Sequence, residues 1–269
     1  AAHRATALAR LPGAQLVPAP EATTLIALAP AALDDPDPAT VSRTLAQLVD
    51  GGLLGYLDVI GTGCRRVCLI TMRGEQAQPA DPAVLPGPAA LAAMHRSAGY
   101  EFPDVEFTHV DIPANDVPRG DVDPNVVLAA ALGGPGTGAI RSSGGGPALL
   151  RRDFVPVPPV VSAPTFGPGM LDDVVITGGS GVIAGHYARA LAALGARRIV
   201  LLSRRGTAPP EPSHGTELVS VACDITDPDA VAAAAARHGG QGASVFIHAA
   251  GAATFAPAAQ LDGAVVGTN

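Results

Sequence analysis

The 269-residue chain contains no lysine; all 17 of its basic residues are arginine. No site it builds can therefore draw on an ε-ammonium. Aromatic residues make up only 3% of the sequence although 48% is hydrophobic. The core must then be made of Ala, Val and Leu, as parallel sheets covered by helices often are. Cysteine is scarce too. Cys64, Cys68 and Cys223 are odd in number and lack C-x-x-C spacing, which supports neither a disulfide framework nor a zinc site, and no metal is expected. No apolar run approaches the ~20 residues that cross a bilayer. The Ala-rich N-terminus lacks the continuous apolar core of a signal peptide, so a cytoplasmic protein is expected. A net charge of −7 without a basic patch argues against nucleic-acid and membrane-surface partners.

What the chain does have is centred on Val174-Val175-Ile176-Thr177-Gly178-Gly179-Ser180-Gly181-Val182-Ile183-Ala184-Gly185. A β-branched run suited to a buried parallel strand gives way to glycines, which admit backbone conformations a β-carbon forbids and allow a phosphate close to the main chain. A helix should follow, with Ile183, Tyr187, Leu191 and Leu194 on one apolar stripe and Gly195 at its end. Unpaired N–H groups and the positive pole of the peptide dipoles make its N-terminus an anion site. Arg198–Ser203 supplies the next strand and closes a βαβ unit, the context a glycine turn needs to be read as nucleotide-binding. Further on, Glu217–Ala222 and Ser244–His248 read as strands, and Asp227-Pro228 caps a helix that ends at Gly239-Gly240.

The first half also alternates strand and helix. Strands are expected at 23–28, 66–72 and 105–112, and Asp37-Pro38 and Asp123-Pro124 are helix starts. A Pro-rich loop is expected from Gln76 to Pro88 and a helix from Ala89 to Gly99. Residues 139–142 and 148–155 should form a hairpin around Ser143-Gly144-Gly145-Gly146-Pro147. Residues 1–20 suggest a short helix or edge segment. None of the strand-to-helix turns in this half has a glycine fingerprint. Thr71-Met72-Arg73-Gly74 comes nearest, with one glycine, so this half reads as structural. The proline-rich stretch Pro156–Gly169 marks the boundary. The expected division is 1–158 and 159–269.

In a dinucleotide site of this topology, the end of the second strand meets the adenosine ribose, and an acid there selects NAD. This chain has Ser203-Arg204-Arg205 at that place. A guanidinium pairs with a ribose 2′-phosphate through parallel hydrogen bonds, so the implied cofactor is NADPH. Asp224 follows the third strand, where it can accept from an adenine amino group or cap the next helix. Ala249-Ala250-Gly251 brings small residues to where the nicotinamide ribose would lie.

These motifs resemble the short-chain dehydrogenase/reductase superfamily, and within it the ketoreductase domains of modular polyketide synthases. Thr177-Gly178-Gly179-Ser180-Gly181-Val182-Ile183, Ser203-Arg204-Arg205-Gly206, Cys223-Asp224-Ile225-Thr226-Asp227 and His248-Ala249-Ala250-Gly251 are similar to that family's successive cofactor contacts. Cys68-Leu69-Ile70-Thr71, Val110-Asp111-Ile112-Pro113 and the 139–155 hairpin are similar to its cofactor-free structural subdomain. The resemblance implies an α/β fold: a Rossmann-like parallel sheet, its front half, preceded by a truncated Rossmann-like subdomain. It further implies NADPH-dependent reduction of the β-keto group of an acyl chain tethered by phosphopantetheine to an acyl carrier protein, beside neighbouring synthase domains. Two departures stand out. Members commonly have glycine where Val182 and Ala184 stand. The family also uses a Ser, a Tyr and a Lys, with Tyr as proton donor, whereas Tyr56, Tyr100 and Tyr187 all precede the fourth strand of the second half and there is no Lys. No catalytic residue is therefore assigned. The chain reads as the cofactor-binding front of a reductase ending before its acid, with Phe246 and Ile247 left on an exposed edge. The alternative is a catalytically inactive reductase-like scaffold or interaction module of a megasynthase.

Overall fold

A computed structural model describes residues 15–112, 123–133, 136–143, 146–158, 165–206, 215–240, 242–251 and 256–268. The chain forms two compact units, one of residues 1–156 with 254–269 and one of 157–253. The expected division at 158/159 thus places the last segment differently from its packing. Ala258, Leu261 and Val266 pack against the core of the first unit.

In the first unit, β1 (Thr24–Leu28), β2 (Arg66–Met72), β3 (Glu106–Ile112) and β4 (Gly136–Ser143) run parallel in that order, and β5 (Gly146–Arg151) is antiparallel to β4. The hairpin is therefore present, with residues 144–145 of its turn outside the described residues. Helix α1 (Pro38–Asp50) starts as expected, the Asp37 carboxylate accepting from the N–H groups of Ala39 and Thr40. Val41, Leu45 and Val49 face inward. Helix α2 (Pro86–Ala98) begins three residues earlier than the sequence suggests, because proline at a first helical turn loses only a hydrogen bond that turn never makes. Helix α3 spans Pro124–Leu132. Residues 1–14, including most of the expected N-terminal helix or edge segment, lie outside the described residues, as does 113–122; Ala19–Glu21 is a single 3₁₀ turn.

The carboxyl ends of β2 and β3 meet a buried polar network. The Asp111 carboxylate is fully buried and accepts from Thr71 Oγ1 (2.6 Å), Gly74 N (2.7 Å) and the Arg141 guanidinium (2.8 Å). Arg141 also donates to Asp81 (2.8 Å) and to the Glu75 carbonyl. The one glycine N–H of the Thr71–Gly74 turn is thus already bonded to protein. Removing one partner of such a buried pair typically costs about 3–5 kcal/mol, because the other charge stays buried.

In the second unit, β6 (Asp173–Thr177), β7 (Arg198–Ser203), β8 (Glu217–Ala222) and β9 (Val245–His248) form a parallel sheet in the order β8-β7-β6-β9. Helix α4 (Val182–Ala193) follows β6 and α5 (Pro228–His238) follows β8, capped by Asp227. Of the expected apolar stripe on α4 only Leu191 lies on the buried face. Ile183, Tyr187 and Leu194 are exposed, while Ala184, Gly185, Ala188, Leu191 and Ala192 are buried. Small side chains let this helix lie close against the sheet, and that requirement outweighs the pull of larger apolar groups. Among the described residues β9 pairs on one side only, with β6. Phe246 is 61% exposed and Ile247 is partly buried. Residues 159–164 of the expected linker and 207–214 of the loop after β7 lie outside the described residues. No helix among the described residues is long and apolar enough to cross a membrane.

Two buried histidines give the first unit a pH dependence. Burial lowers His95 to about 4 and His109 to about 3, with Arg96 opposing protonation of both. His109 Nδ1 lies 3.6 Å from Glu75, but a neutral imidazole makes no ion pair there. Folded protein refuses protons that unfolded chain accepts below about pH 6.5, so stability falls as pH drops through that value toward 4. The expected slope reaches up to ~1.4 kcal/mol per pH unit for each histidine. Urea denaturation followed from pH 7.5 to 5 should show this loss, and a flat profile would contradict it.

Candidate functional site

The motif loops of the second unit all lie at the carboxyl ends of its strands. From β6 the chain passes through β7 to β8 on one side, then returns to place β9 on the other side of β6. The crevice between β6 and β9 is a topological switch point, where open α/β sheets bind ligands.

The glycine turn is shaped by close approach. Gly178 has φ 70°, and a β-carbon there would lie 2.5 Å from the Ala249 carbonyl oxygen. A β-carbon at Gly179 would lie 2.6 Å from Leu201 Cβ. Gly179 N donates to Leu202 O at 2.9 Å, tying the turn to β7. Gly181 is the N-cap of α4 and offers no side-chain acceptor to the first helical N–H groups. Ser180, Gly181, Val182 and Ile183 are exposed around this end.

Thr177 and the fourth-strand motif meet directly. Thr177 Oγ1 lies 2.8 Å from His248 Nδ1 and accepts from Ala250 N at 3.3 Å. This bond is not legible in the sequence, since nothing in the spacing of two strand-end residues shows that their strands are neighbours. Ala249 and Ala250 are partly buried against the turn, and Gly251 is exposed.

The second and third motifs also converge. Ser203 is buried, and its Oγ has no hydrogen-bond partner among the described residues. Arg204 and Arg205 are exposed beside it. Gly206, at φ 63°, passes so close to β8 that a β-carbon would sit 2.9 Å from Ala222 N. Cys223 N donates to Ser203 O at 2.9 Å, and the Cys223 thiol is buried. Ile225 packs with Val200, Leu202 and Cys223, so its side chain holds the loop to the sheet. The Asp224 carboxylate accepts from Thr226 N and Thr226 Oγ1, which hold its pKa below the usual carboxylate value, with Arg204 adding to the effect. It is exposed and ionised, an acceptor at the rim.

This donor set fits a dinucleotide phosphate group. The glycine cradle has no room for side chains, the helix N-terminus carries no side-chain acceptor, and a buried hydroxyl beside two exposed guanidinium groups lacks a partner. An orphaned buried hydroxyl costs on the order of 1–3 kcal/mol until something bonds to it. Among the described residues no group of three His, Cys, Asp or Glu side chains is placed to hold a metal ion.

The comparisons with known proteins agree with this arrangement. Residues 173–266 match the family model described as the KR domain. Polyketide synthase GfsB of Streptomyces halstedii is 34% identical over 239 residues, 81% of this chain but 4% of that protein. Erythronolide synthase EryA3 of Saccharopolyspora erythraea is 32% identical over 183 residues, 64% of this chain and 6% of that protein. A solved A-type ketoreductase from a modular polyketide synthase superposes with a TM-score of 0.61 at 30% identity, covering 85% of this chain and 48% of that one. An A1-type ketoreductase gives 0.63 at 28%, covering 88% and 51%. The chain thus spans about half the length of these solved ketoreductases and a few per cent of the synthases.

The close approach at Gly178 gives a direct test. Gly178→Ala forces a left-handed residue and drives a methyl group into the Ala249 backbone, which together should destabilise the second unit by about 2 kcal/mol or more. Gly195→Ala, at φ 90° with open space around it, should cost only the backbone term of about 1–2 kcal/mol. Denaturation midpoints compare the two; equal losses would contradict the close contact.

Proposed function

The chain belongs to the ketoreductases of modular polyketide synthases, and from that membership and the crevice geometry we propose that it forms the NADPH-binding part of a β-ketoacyl reductase. The observation that carries this is the pairing of the glycine turn with Ser203-Arg204-Arg205 at the end of β7. Gly178, Gly179, Ser180 and Gly181, with the first N–H groups of α4 at Val182 and Ile183, would hold the pyrophosphate. Ser203 Oγ and the Arg204 and Arg205 guanidinium groups would hold the ribose 2′-phosphate, where an acid would repel it. Cys223, Asp224 and Ile225 would border the adenine, with Asp224 accepting from its amino group. Thr177, pinned to His248, would fix Ala249, Ala250 and Gly251 beneath the nicotinamide ribose. When bound, the nicotinamide supplies a hydride. The substrate class is a β-keto acyl thioester carried by phosphopantetheine on an acyl carrier protein, delivered among neighbouring synthase domains.

Binding and orientation are the work of this chain's residues; none of its tyrosines is placed as a proton donor to a ketone in the crevice. Tyr56 sits in the first unit, its hydroxyl 3.0 Å from His95 Nδ1, and burial pushes it up to about 12. Tyr100 is 91% exposed, and Tyr187 lies on the outer face of α4. A positioned acid typically contributes 10²- to 10⁴-fold to such a step. Residues 1–269 by themselves should therefore reduce a β-keto thioester surrogate with NADPH no faster than buffer does. Turnover above that background would contradict the assignment of these residues to binding alone.

The cofactor reading has its own test. Arg204→Ala should weaken NADPH binding by about 1.5–3 kcal/mol, roughly ten- to hundredfold, and leave NADH binding nearly unchanged. Fluorescence titration with both nucleotides measures this. Equal affinity of the parent chain for the two, or an Arg204→Ala chain that binds NADPH as tightly as the parent, would overturn the assignment.

A further inference from the structure

Within the first unit, residues 75–84 connect the end of β2 to α2 without helix or strand of their own. Glu75, Gln78 and Asp81 are partly buried and the rest are exposed. Among the described residues, no side chain of 75–84 joins a hydrophobic cluster. Apolar burial, which holds the helices to this sheet, therefore does not hold this segment. Its two ends are fixed: Glu75 pairs with Arg152, and Leu85 is buried and donates its N–H to Arg73 O at 2.8 Å. Between them Asp81 closes a turn, accepting from Ala77 N at 2.8 Å and Gln78 N at 3.1 Å.

What ties this turn to the sheet is one guanidinium group. Arg141 on β4 has a side chain only 5% exposed, and each of its N–H groups finds an acceptor. Nε donates to Asp81 Oδ2 at 2.8 Å, and Nη2 to Glu75 O and to Asp111 Oδ2, both at 2.8 Å. Nη1 donates to Ile140 O at 2.9 Å and Asp111 O at 3.3 Å. The planar fork of five donors is thus used in full, with Asp111 and Ile140 on the sheet side and Asp81 and Glu75 on the loop side. Arg73 adds a weaker, exposed tie to Ala83 O at 2.9 Å. At φ 55°, Arg73 is also the one non-glycine residue with a positive φ among the described residues. Backbone of that kind persists only where its surroundings impose it, and it gathers at clamps and switch segments.

We infer that residues 75–84 are a lid over the carboxyl ends of β2 and β3, latched shut by the Arg141 guanidinium between Asp111 and Asp81. With no apolar anchor of its own, the lid opens when that cation is withdrawn, while the sheet beneath keeps its hydrophobic packing. Closed, it keeps Asp111 and the Thr71–Gly74 turn out of water. The latch is also a recognition site in the chemical sense: two carboxylates and three carbonyl groups arranged for a planar guanidinium cation, which the chain supplies from its own β4. This inference does not depend on the cofactor reading, which concerns the second unit.

Amide hydrogen exchange on the whole chain tests it. The bonded amides at the lid are those of Gly74, Ala77, Gln78, Asp81 and Leu85. In Arg141→Ala they should exchange roughly tenfold faster than in the parent, with β1 and β2 within about twofold. Millimolar guanidinium chloride should restore their protection in this variant, because the free cation has the same fork; ammonium chloride at equal concentration should not. Where Arg141→Ala loses protection throughout the unit, Arg141→Lys decides: it keeps a cation beside Asp111, but three donors on one nitrogen cannot serve both sides of the latch, so the lid amides alone should exchange faster. Parent-like exchange of the lid in Arg141→Lys or in folded Arg141→Ala would overturn the inference. So would equal restoration by ammonium, or a loss of protection in Arg141→Lys that spreads to β1 and β2.

Discussion

The backbone of the Gly178-Gly179 turn lies so near Ala249 on one side and Leu201 on the other that no side chain can be placed between them. This close approach fixes the rest of the second unit. It sets β6 between β7 and β9 and brings the ends of three motif loops to one rim. It also aims the N-terminus of α4 at the space above the sheet. The buried face of α4 answers to the same geometry, being mostly small (Ala184, Gly185, Ala188 and Ala192, with Leu191 the one large side chain) where a bulkier face would hold the helix away. The Thr177–His248 bond then locks the two central strand ends together at the level of the crevice.

The first unit presents the same architectural opportunity and fills it with protein. At the ends of β2 and β3, Asp111 accepts from Thr71 and Gly74 N, and Arg141 ties Asp111 to Asp81. The Gly74 N–H and the Arg141 guanidinium at these strand ends are thus paired with protein groups. In the second unit the corresponding groups are left open: Ser203 Oγ lacks a partner among the described residues, and the α4 N-cap brings no side-chain acceptor. A buried donor that is already satisfied gains little from a ligand, whereas an unsatisfied one gains its full desolvation cost back. On the proposed reading, the difference between two similar sheets thus lies in a few polar atoms.

Much of this was legible in the sequence because strands and caps are local. The Asp-Pro pairs at 37–38, 123–124 and 227–228 all start helices, and Arg66–Met72, Arg198–Ser203 and Glu217–Ala222 are strands at the expected bounds. What failed depended on partners distant in the chain. Periodicity finds Leu191 on the core side of α4 but not Ile183, Tyr187 or Leu194, because it rewards large side chains while the sheet beneath needs mostly small ones. Nor does spacing show that Thr177 reaches His248 or that Asp111 reaches Arg141. The return of residues 256–268 to α1 was equally hidden, since Gly263, which permits it, looks like any other glycine until Ala46 and Asp50 are seen beside it.

The central claim is that the crevice of the second sheet receives the cofactor while the first sheet, already filled, does not. Amide chemical shifts of the isotopically labelled chain, followed as NADPH is added, test this most directly. The account predicts saturable shifts at residues 177–183, 203–206, 223–225 and 249–251, with 71–75 and 109–111 unmoved. Shifts concentrated in the latter two segments, or none in the glycine turn at saturating nucleotide, would contradict it.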